Sequence, residues 1–165
     1  MGISAAEFTI NDYSKEILDA MEDAVLRALE RCGAQAEGYA IDLCPADTTR
    51  LRGSITHQVA PSEKAAYIGT NVEYGVYVEL GTGIYAKNGD GRSGWWVYVK
   101  GQSSGTKGSG KTYTEAEARR VVAILRAKGL EAFMTQGVRP RPYLRPAVED
   151  HMDTYRNIFK DELGS

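Results

Sequence analysis

Eight consecutive residues, Gly105-Thr106-Lys107-Gly108-Ser109-Gly110-Lys111-Thr112, satisfy the phosphate-loop pattern G-x-x-x-x-G-K-[ST]. In a working phosphate loop the backbone amides cradle a triphosphate and the lysine meets its outer phosphates. That chemistry needs a buried parallel strand running into the first glycine and a helix starting at the lysine. Here Gly101-Gln102-Ser103-Ser104 separates the loop from the strand expected before it, and the next helix signal is only at Thr114. The segment therefore reads as a solvated Gly/Ser/Lys-rich loop, with nucleotide binding kept as an alternative.

The remaining chemistry-bearing residues are sparse. The chain holds two histidines, His57 and His151. Ser54 and His57, three apart on an extended strand, project to opposite faces and do not make a nucleophile–base pair. His151 lies among charged residues on what reads as an exposed helix face. Cys32 and Cys44, twelve residues apart on one helix, stand about 18 Å apart at 1.5 Å per residue. A disulfide needs about 7 Å, so both are expected as free, packed thiols in a reducing compartment. No zinc spacing is present. Asn88-Gly89-Asp90-Gly91-Arg92 resembles part of a calcium loop but lacks the downstream glutamate, and a tight turn fits it better. The reading is of a chain that is not an enzyme, with no cofactor and no metal.

Arginines and lysines gather at three places: Arg50 and Arg52; Arg119, Arg120, Arg126 and Lys128; Arg139, Arg141 and Arg145. Each group could meet nucleic-acid phosphates. The formal net charge of -2 argues instead for solvated faces or ion pairs between subunits. A DNA-binding module using these clusters is kept as the second alternative.

The elements that must position these residues follow from periodicity. Residues 12–43 read as one helix, with Ile17, Met21, Val25, Leu29 and Cys32 as its apolar stripe, widened by Leu18 and Leu26. Asn11 or Asp12 can cap it, and Pro45 ends it. Residues 54–60 and 64–71 read as an antiparallel hairpin turning at Pro61-Ser62-Glu63. Residues 74–80 fit a strand or a short helix, and the pattern leaves both open. Residues 95–100 are a strand by aromatic and β-branched content. Residues 114–128 are a helix, with Thr114 and Glu117 as a capping box and Gly129 as the stop. A last helix starts at Leu144 or Pro146 and runs to Leu163.

No segment approaches the roughly 20 apolar residues of a membrane span. Residues 1–12 have neither a basic start nor an apolar run, so no signal peptide is expected. The expectation is one α+β domain over residues 1–165: a long N-terminal helix and a C-terminal helix packed on a small antiparallel sheet. A long Gly-rich loop over residues 85–113 is expected within it, ordering only on assembly.

Three short blocks complete the reading. They are Cys44-Pro45-Ala46-Asp47-Thr48-Thr49-Arg50-Leu51-Arg52-Gly53-Ser54-Ile55, then Glu73-Tyr74-Gly75-Val76-Tyr77-Val78-Glu79-Leu80-Gly81-Thr82-Gly83, then Arg139-Pro140-Arg141-Pro142-Tyr143-Leu144-Arg145-Pro146-Ala147. In this order, with helices on either side, they resemble the family of small head–tail joining proteins of long-tailed bacteriophages named after the tenth gene product of coliphage Hong Kong 97. The matching positions are Pro45, Asp47, Thr48, Leu51 and Ser54; Tyr74, Tyr77, Val78, Glu79, Gly81 and Thr82; and Arg141, Pro142, Leu144, Arg145, Pro146 and Ala147. Thr49 stands where the family pattern has glycine, Gly75 where it has alanine, and Tyr143 where it has phenylalanine. Residues 85–138 form an insert between the second and third blocks.

The resemblance implies a structural virion or prophage protein, part of a neck, tail-completion or minor tail ring. It would be made in the bacterial cytoplasm and carried into the virion. The implied partners are further copies of itself, with sixfold symmetry taken for the ring, and head-closure, connector, tail-terminator or tail-tube proteins. DNA would be met only in the lumen. Arg50, Arg52, Tyr74, Tyr77, Glu79, Tyr143 and Arg145 are the candidate assembly-interface or motif residues, since Tyr and Arg carry much of the energy at interfaces.

Overall fold

The computed structural model describes residues 12–45, 49–89, 91–101 and 111–164. A 30-residue helix, α1 (Ser14–Leu43), runs through the molecule and carries most of its packing. Asp12 opens it by accepting the Ser14 amide at 2.9 Å. Cys44 adopts extended geometry (φ -67°, ψ 132°) before Pro45 and closes it.

Gly33 would ordinarily weaken this helix by about 1 kcal/mol against alanine. Its value lies in packing: a Cβ there would stand 2.6 Å from Cδ2 of His57. The bare backbone is the seat for the imidazole.

A short helix, α2 (Thr49–Arg52), leads into the hairpin β1 (Ile55–Ala60) and β2 (Ala65–Thr70). Ile55 pairs with Thr70 and Ala60 with Ala65, in an unbroken antiparallel register. A single 3-10 turn at Pro61–Glu63, followed by Lys64 in the left-handed region (φ 49°), makes the reversal. Ile55, His57 and Val59 face α1, and Thr56 and Gln58 face solvent, as alternation requires.

The undecided stretch is a helix, α3 (Gly75–Leu80), followed by a 3-10 turn at Gly83–Tyr85. The insert contains the expected strand and helix together with one further strand. It holds β3 (Trp96–Val99), α4 (Glu115–Ala127) and β4 (Ala132–Thr135). β3 pairs antiparallel with β4, Trp96 opposite Thr135 and Val99 opposite Ala132. The expected small sheet is thus two separate two-stranded ladders. Residues 102–110 lie outside the described residues, and with them Gly105–Gly110 of the phosphate-loop pattern. The strand before that pattern, β3, is antiparallel, not the parallel strand that chemistry uses. Both halves of the Thr114–Glu117 capping box form on α4, and Gly129 (φ 79°) ends it.

The last helix is broken. α5 (Leu144–Glu149) and α6 (Met152–Leu163) meet at Asp150-His151. In an unbroken helix the Ala147 carbonyl would accept from the His151 amide. It accepts the Tyr155 hydroxyl instead, at 2.6 Å. The freed His151 ring stacks on Tyr39 of α1, centroids 3.5 Å apart and 13° from parallel. His151 is therefore half-buried between helices, not on an exposed face as its charged neighbours suggested.

Two apolar clusters hold these parts together. Ala40, Cys44, Leu51, Ile55, Val72, Tyr143 and Ala147 form the larger one. Ala28 and Cys32 of α1 pack on Ile158 of α6 in the smaller one. Arg27 and Arg31 fasten the far end of α6 through Glu162, at 3.1 and 2.7 Å. These bonds, Arg31 first, hold the Glu162 carboxyl below the usual carboxylate range. Both cysteines are buried and neither is in a disulfide, and burial pushes the Cys32 thiol up. No helix among the described residues is long and apolar enough to cross a membrane.

Candidate interaction surface

The three blocks meet at one place, and α3 joins them. Gly75 and Glu79, four residues apart, share the inward face of this helix. Tyr74, Tyr77 and Val78 share the other.

On the inward side, Glu79 is 9% exposed and is the single buried charged residue among the described residues. Its carboxylate accepts the backbone amides of Tyr143 at 2.7 Å, Leu144 at 2.9 Å and Arg145 at 3.1 Å. These are the orphan amides of the first turn of α5, which have no partner within their own helix. A carboxylate at that end also meets the positive pole of the helix. Glu79 thus caps a helix that begins 65 residues further on.

Tyr143 fills the core beside this cap. It is fully buried, packed with Leu51 and Ala147. Its hydroxyl finds no hydrogen-bond partner among the described residues, and burial pushes its pKa up to about 12. Glu79 and Tyr143 therefore hold the fold of this chain together. Neither is exposed.

The glycines of the second block serve the same junction. Thr82 donates its amide to Val138 O at 2.9 Å, and Ile84 to Gln136 O at 3.1 Å, so the chain after α3 runs beside the chain after β4. A Cβ on Gly83 (φ 62°) would lie 1.8 Å from Gln136 O, and one on Gly137 (φ 140°) 2.0 Å from Thr82 O. Only glycine permits this approach. Arg141 adds a bond from its amide to Val78 O at 2.8 Å.

On the outward side lies an open groove of about 320 Å³. Pro45 of the first block lines it, with Tyr74, Tyr77, Val78 and Thr82 of the second and Arg139 and Arg141 of the third, beside Val138. Tyr77 is 58% exposed. The Arg139 guanidinium lies 5.2 Å from the centre of the Tyr85 ring. The floor is largely apolar and the rim carries positive charge. Such a lining suits a partner's apolar side chain with a carboxylate at its edge.

The other expected residues are scattered. Arg50 and Arg145 are exposed away from the groove lining. Arg52 donates from Nε to Ile41 O at 3.1 Å and ties α2 to the end of α1. Asp47 and Thr48 of the first block lie outside the described residues, as does Asp90 of the calcium-like turn. Ser54 shares a hydrogen bond with Thr70 and donates to Leu51 O.

His57 is engaged elsewhere, with two carboxylates of α1 that the sequence reading missed. Glu37 accepts its backbone amide at 2.9 Å and faces Nδ1 at 2.6 Å, and Glu30 faces Nε2 at 3.2 Å. Glu30 and Glu37 are seven residues apart, two turns on one helix face, with Gly33 between them. That spacing was the available signal. Among the described residues, no group of three or more His, Cys, Asp or Glu forms a metal-holding cluster. Comparison with protein-family models, curated proteins and solved structures returns no match.

Proposed function

We propose that this chain is a structural component of the head–tail junction of a long-tailed bacteriophage or prophage, acting as one subunit of a connector or tail-completion ring. The observation that carries the reading is the convergence of the three blocks on a single junction. Their inward residues, Leu51, Glu79 and Tyr143, make the core and its cap. Their outward residues, Pro45, Tyr74, Tyr77, Arg139 and Arg141, line one groove. Residues from Pro45 to Arg141 thus line one groove. The groove offers no clustered acid, base and nucleophile, only aromatic and guanidinium groups suited to protein contact.

Unpartnered apolar surface supports the same reading. Tyr13, Ile17, Leu18 and Met21, close together along the start of α1, all stand exposed. Apolar groups left together in water mark surfaces that other chains cover. In a ring each subunit offers two different surfaces, one to each neighbour.

Deletion of the gene from its phage or prophage, followed by induction and negative-stain electron microscopy, tests the proposal. Filled heads and finished tails lying unjoined are expected. Complementation with Tyr77→Ala is expected to fail through loss of the groove contact, since this exposed side chain leaves the fold intact. Normal infectious particles from the deletion would remove the reading. Heat from magnesium-ATP binding, or salt-dependent retention on DNA, would then favour the nucleotide or DNA alternatives.

A further inference from the structure

The groove beside α3 has a definite chemical character. Tyr74, Tyr77, Val78 and Val138 give it an apolar floor, and no carboxylate of the described residues lines it. Arg139 and Arg141 stand exposed at its rim. Neither makes an ion pair among the described residues. Arg139 rests on the Tyr85 ring, and Arg141 reaches Val78 O with its backbone amide, not its guanidinium. Two guanidiniums over an apolar floor suit a large apolar side chain with a carboxylate beside it.

One stretch of this chain outside the described residues has that chemistry. Residues 46–48 and 102–110 hold no large apolar side chain, and Lys107 makes the second stretch basic. Residues 1–11 contain Glu7-Phe8-Thr9-Ile10 and neither lysine nor arginine. In an extended chain Phe8 and Ile10 share one side, with Glu7 next to them. Length decides which groove they can reach. α1 has 30 residues and so spans about 45 Å. Pro45 lines the groove just past its far end. Phe8 stands four residues before Asp12, a reach of at most about 14 Å from the near end. It cannot fill the groove of its own chain.

The geometry points to an exchanged arm: Phe8 and Ile10 of one copy seat in the groove of a second copy, with Glu7 against Arg139 and Arg141. Arm and groove belong to opposite ends of α1, so each copy gives one contact and receives another. A contact between two different surfaces is heterologous, so it repeats from subunit to subunit and closes a ring or extends a fibre. The arm names the occupant of the groove in the self-assembly proposed above and rests on that part of the reading.

The test uses the purified full chain with photo-reactive benzoylphenylalanine in place of Phe8, mixed with isotope-labelled parent chain. Irradiation and mass spectrometry are expected to join position 8 of one copy to residues 74–78 or 138–141 of the other. Sedimentation velocity over a wide range of concentration follows assembly itself. Phe8→Asp and Tyr77→Ala are each expected to weaken it about tenfold or more, since aromatic anchors carry much of the energy at interfaces. Together they should lose little beyond the worse single change, because both remove one contact. Circular dichroism establishes that each variant is folded, and the cross-link reads the contact without either variant. Capture within one chain, capture at a different surface of the second copy, or a chain that stays monomeric overturns the proposal. Full additivity of the two variants also overturns it. The same probe at position 77 in phage-producing cells should capture residues 7–10 of this chain, and capture of another protein alone would assign the groove to that protein and overturn the arm. Normal particles from the gene deletion, with the cross-link intact, would sink the joining role and leave the arm standing. Unjoined heads and tails without the cross-link would do the reverse.

Discussion

A Cβ placed on Gly75 would stand 2.9 Å from the hydroxyl oxygen of Tyr143. It would also lie 2.7 Å from Cγ2 of Thr70 and 3.1 Å from Cδ1 of Leu51. The methyl that Gly75 lacks and the hydroxyl that Tyr143 carries, 68 positions apart in the chain, would occupy one space.

The pair should therefore be coupled. Gly75→Ala alone forces side chains apart in a packed core, and overpacking of this kind costs about 1–3 kcal/mol. The gain in helix propensity, about 1 kcal/mol at most, does not offset it at the first position of α3. Tyr143→Phe alone removes a buried hydroxyl without a partner among the described residues, and should be neutral or stabilising by about 1 kcal/mol. The double variant should be more stable than the sum of the two, by about 1 kcal/mol or more. Urea denaturation of the four proteins checks this, and strict additivity would show that the two positions do not share the space.

Glu79→Ala should be among the most destabilising single changes. It strands the amides of Tyr143, Leu144 and Arg145 at the buried start of α5 and leaves a cavity under the third block. Loss of a charged acceptor from buried donors costs about 2–4 kcal/mol. Glu79→Gln keeps one acceptor oxygen and should lose roughly half as much. Hydrogen exchange adds a local readout, since the three amides should lose protection before the rest of α5. Unchanged exchange at those amides would mean that water replaces the carboxylate without cost.

Gly83→Ala should separate the chain after α3 from the chain after β4. The new methyl meets the carbonyl of Gln136 at 1.8 Å, and the backbone has φ 62°. Neither backbone can yield without losing the bonds from Thr82 to Val138 and from Ile84 to Gln136. The expected loss is about 3 kcal/mol or more. The adjoining groove should open, and proteolysis between residues 81 and 89 should accelerate. A variant as resistant to proteolysis as the parent would contradict this.

Local signals were read well, and distant ones were not. Thr114 and Glu117 announce α4 because a capping box is complete within four residues. Pro45 announces the end of α1 because its steric effect falls on its neighbour. The hairpin follows from alternation in Ile55, His57 and Val59. β4 escaped because Ala132–Thr135 has four residues and exists through pairing with β3, more than thirty positions earlier. The break after α5 escaped because Leu144, Val148, Met152, Tyr155 and Phe159 keep three- and four-residue steps across Asp150-His151. Periodicity gave α1 its full length, but it cannot say what covers each turn, so Ile17 and Met21 read as core when they stand in water. The blocks marked Glu79 and Tyr143 as special. Their types suggested contact residues, whereas the fold uses one as a distant helix cap and the other as core.

His57 supplies a pH dependence whose sign is set by its partners. The hydrogen bond to Glu37 raises its pKa above 6.5, with partial burial opposing this and Glu30 adding to it. The folded chain therefore holds this proton more tightly than the unfolded chain. Its stabilisation is fully present below pH 6.5 and is lost as pH rises through the higher folded value. Glu117 and Glu162, whose carboxyls lie below 4.5, act in the opposite sense, with stability lost only as pH falls through that acid range. Well above the carboxylate range, the midpoint of urea unfolding should fall from about pH 6 to about pH 8.5 in the parent as His57 loses its proton. His57→Gln keeps a polar group over Gly33 but cannot take up the proton, so its midpoint should be flatter across the same range. Equal slopes in the two proteins would place the titrating group elsewhere.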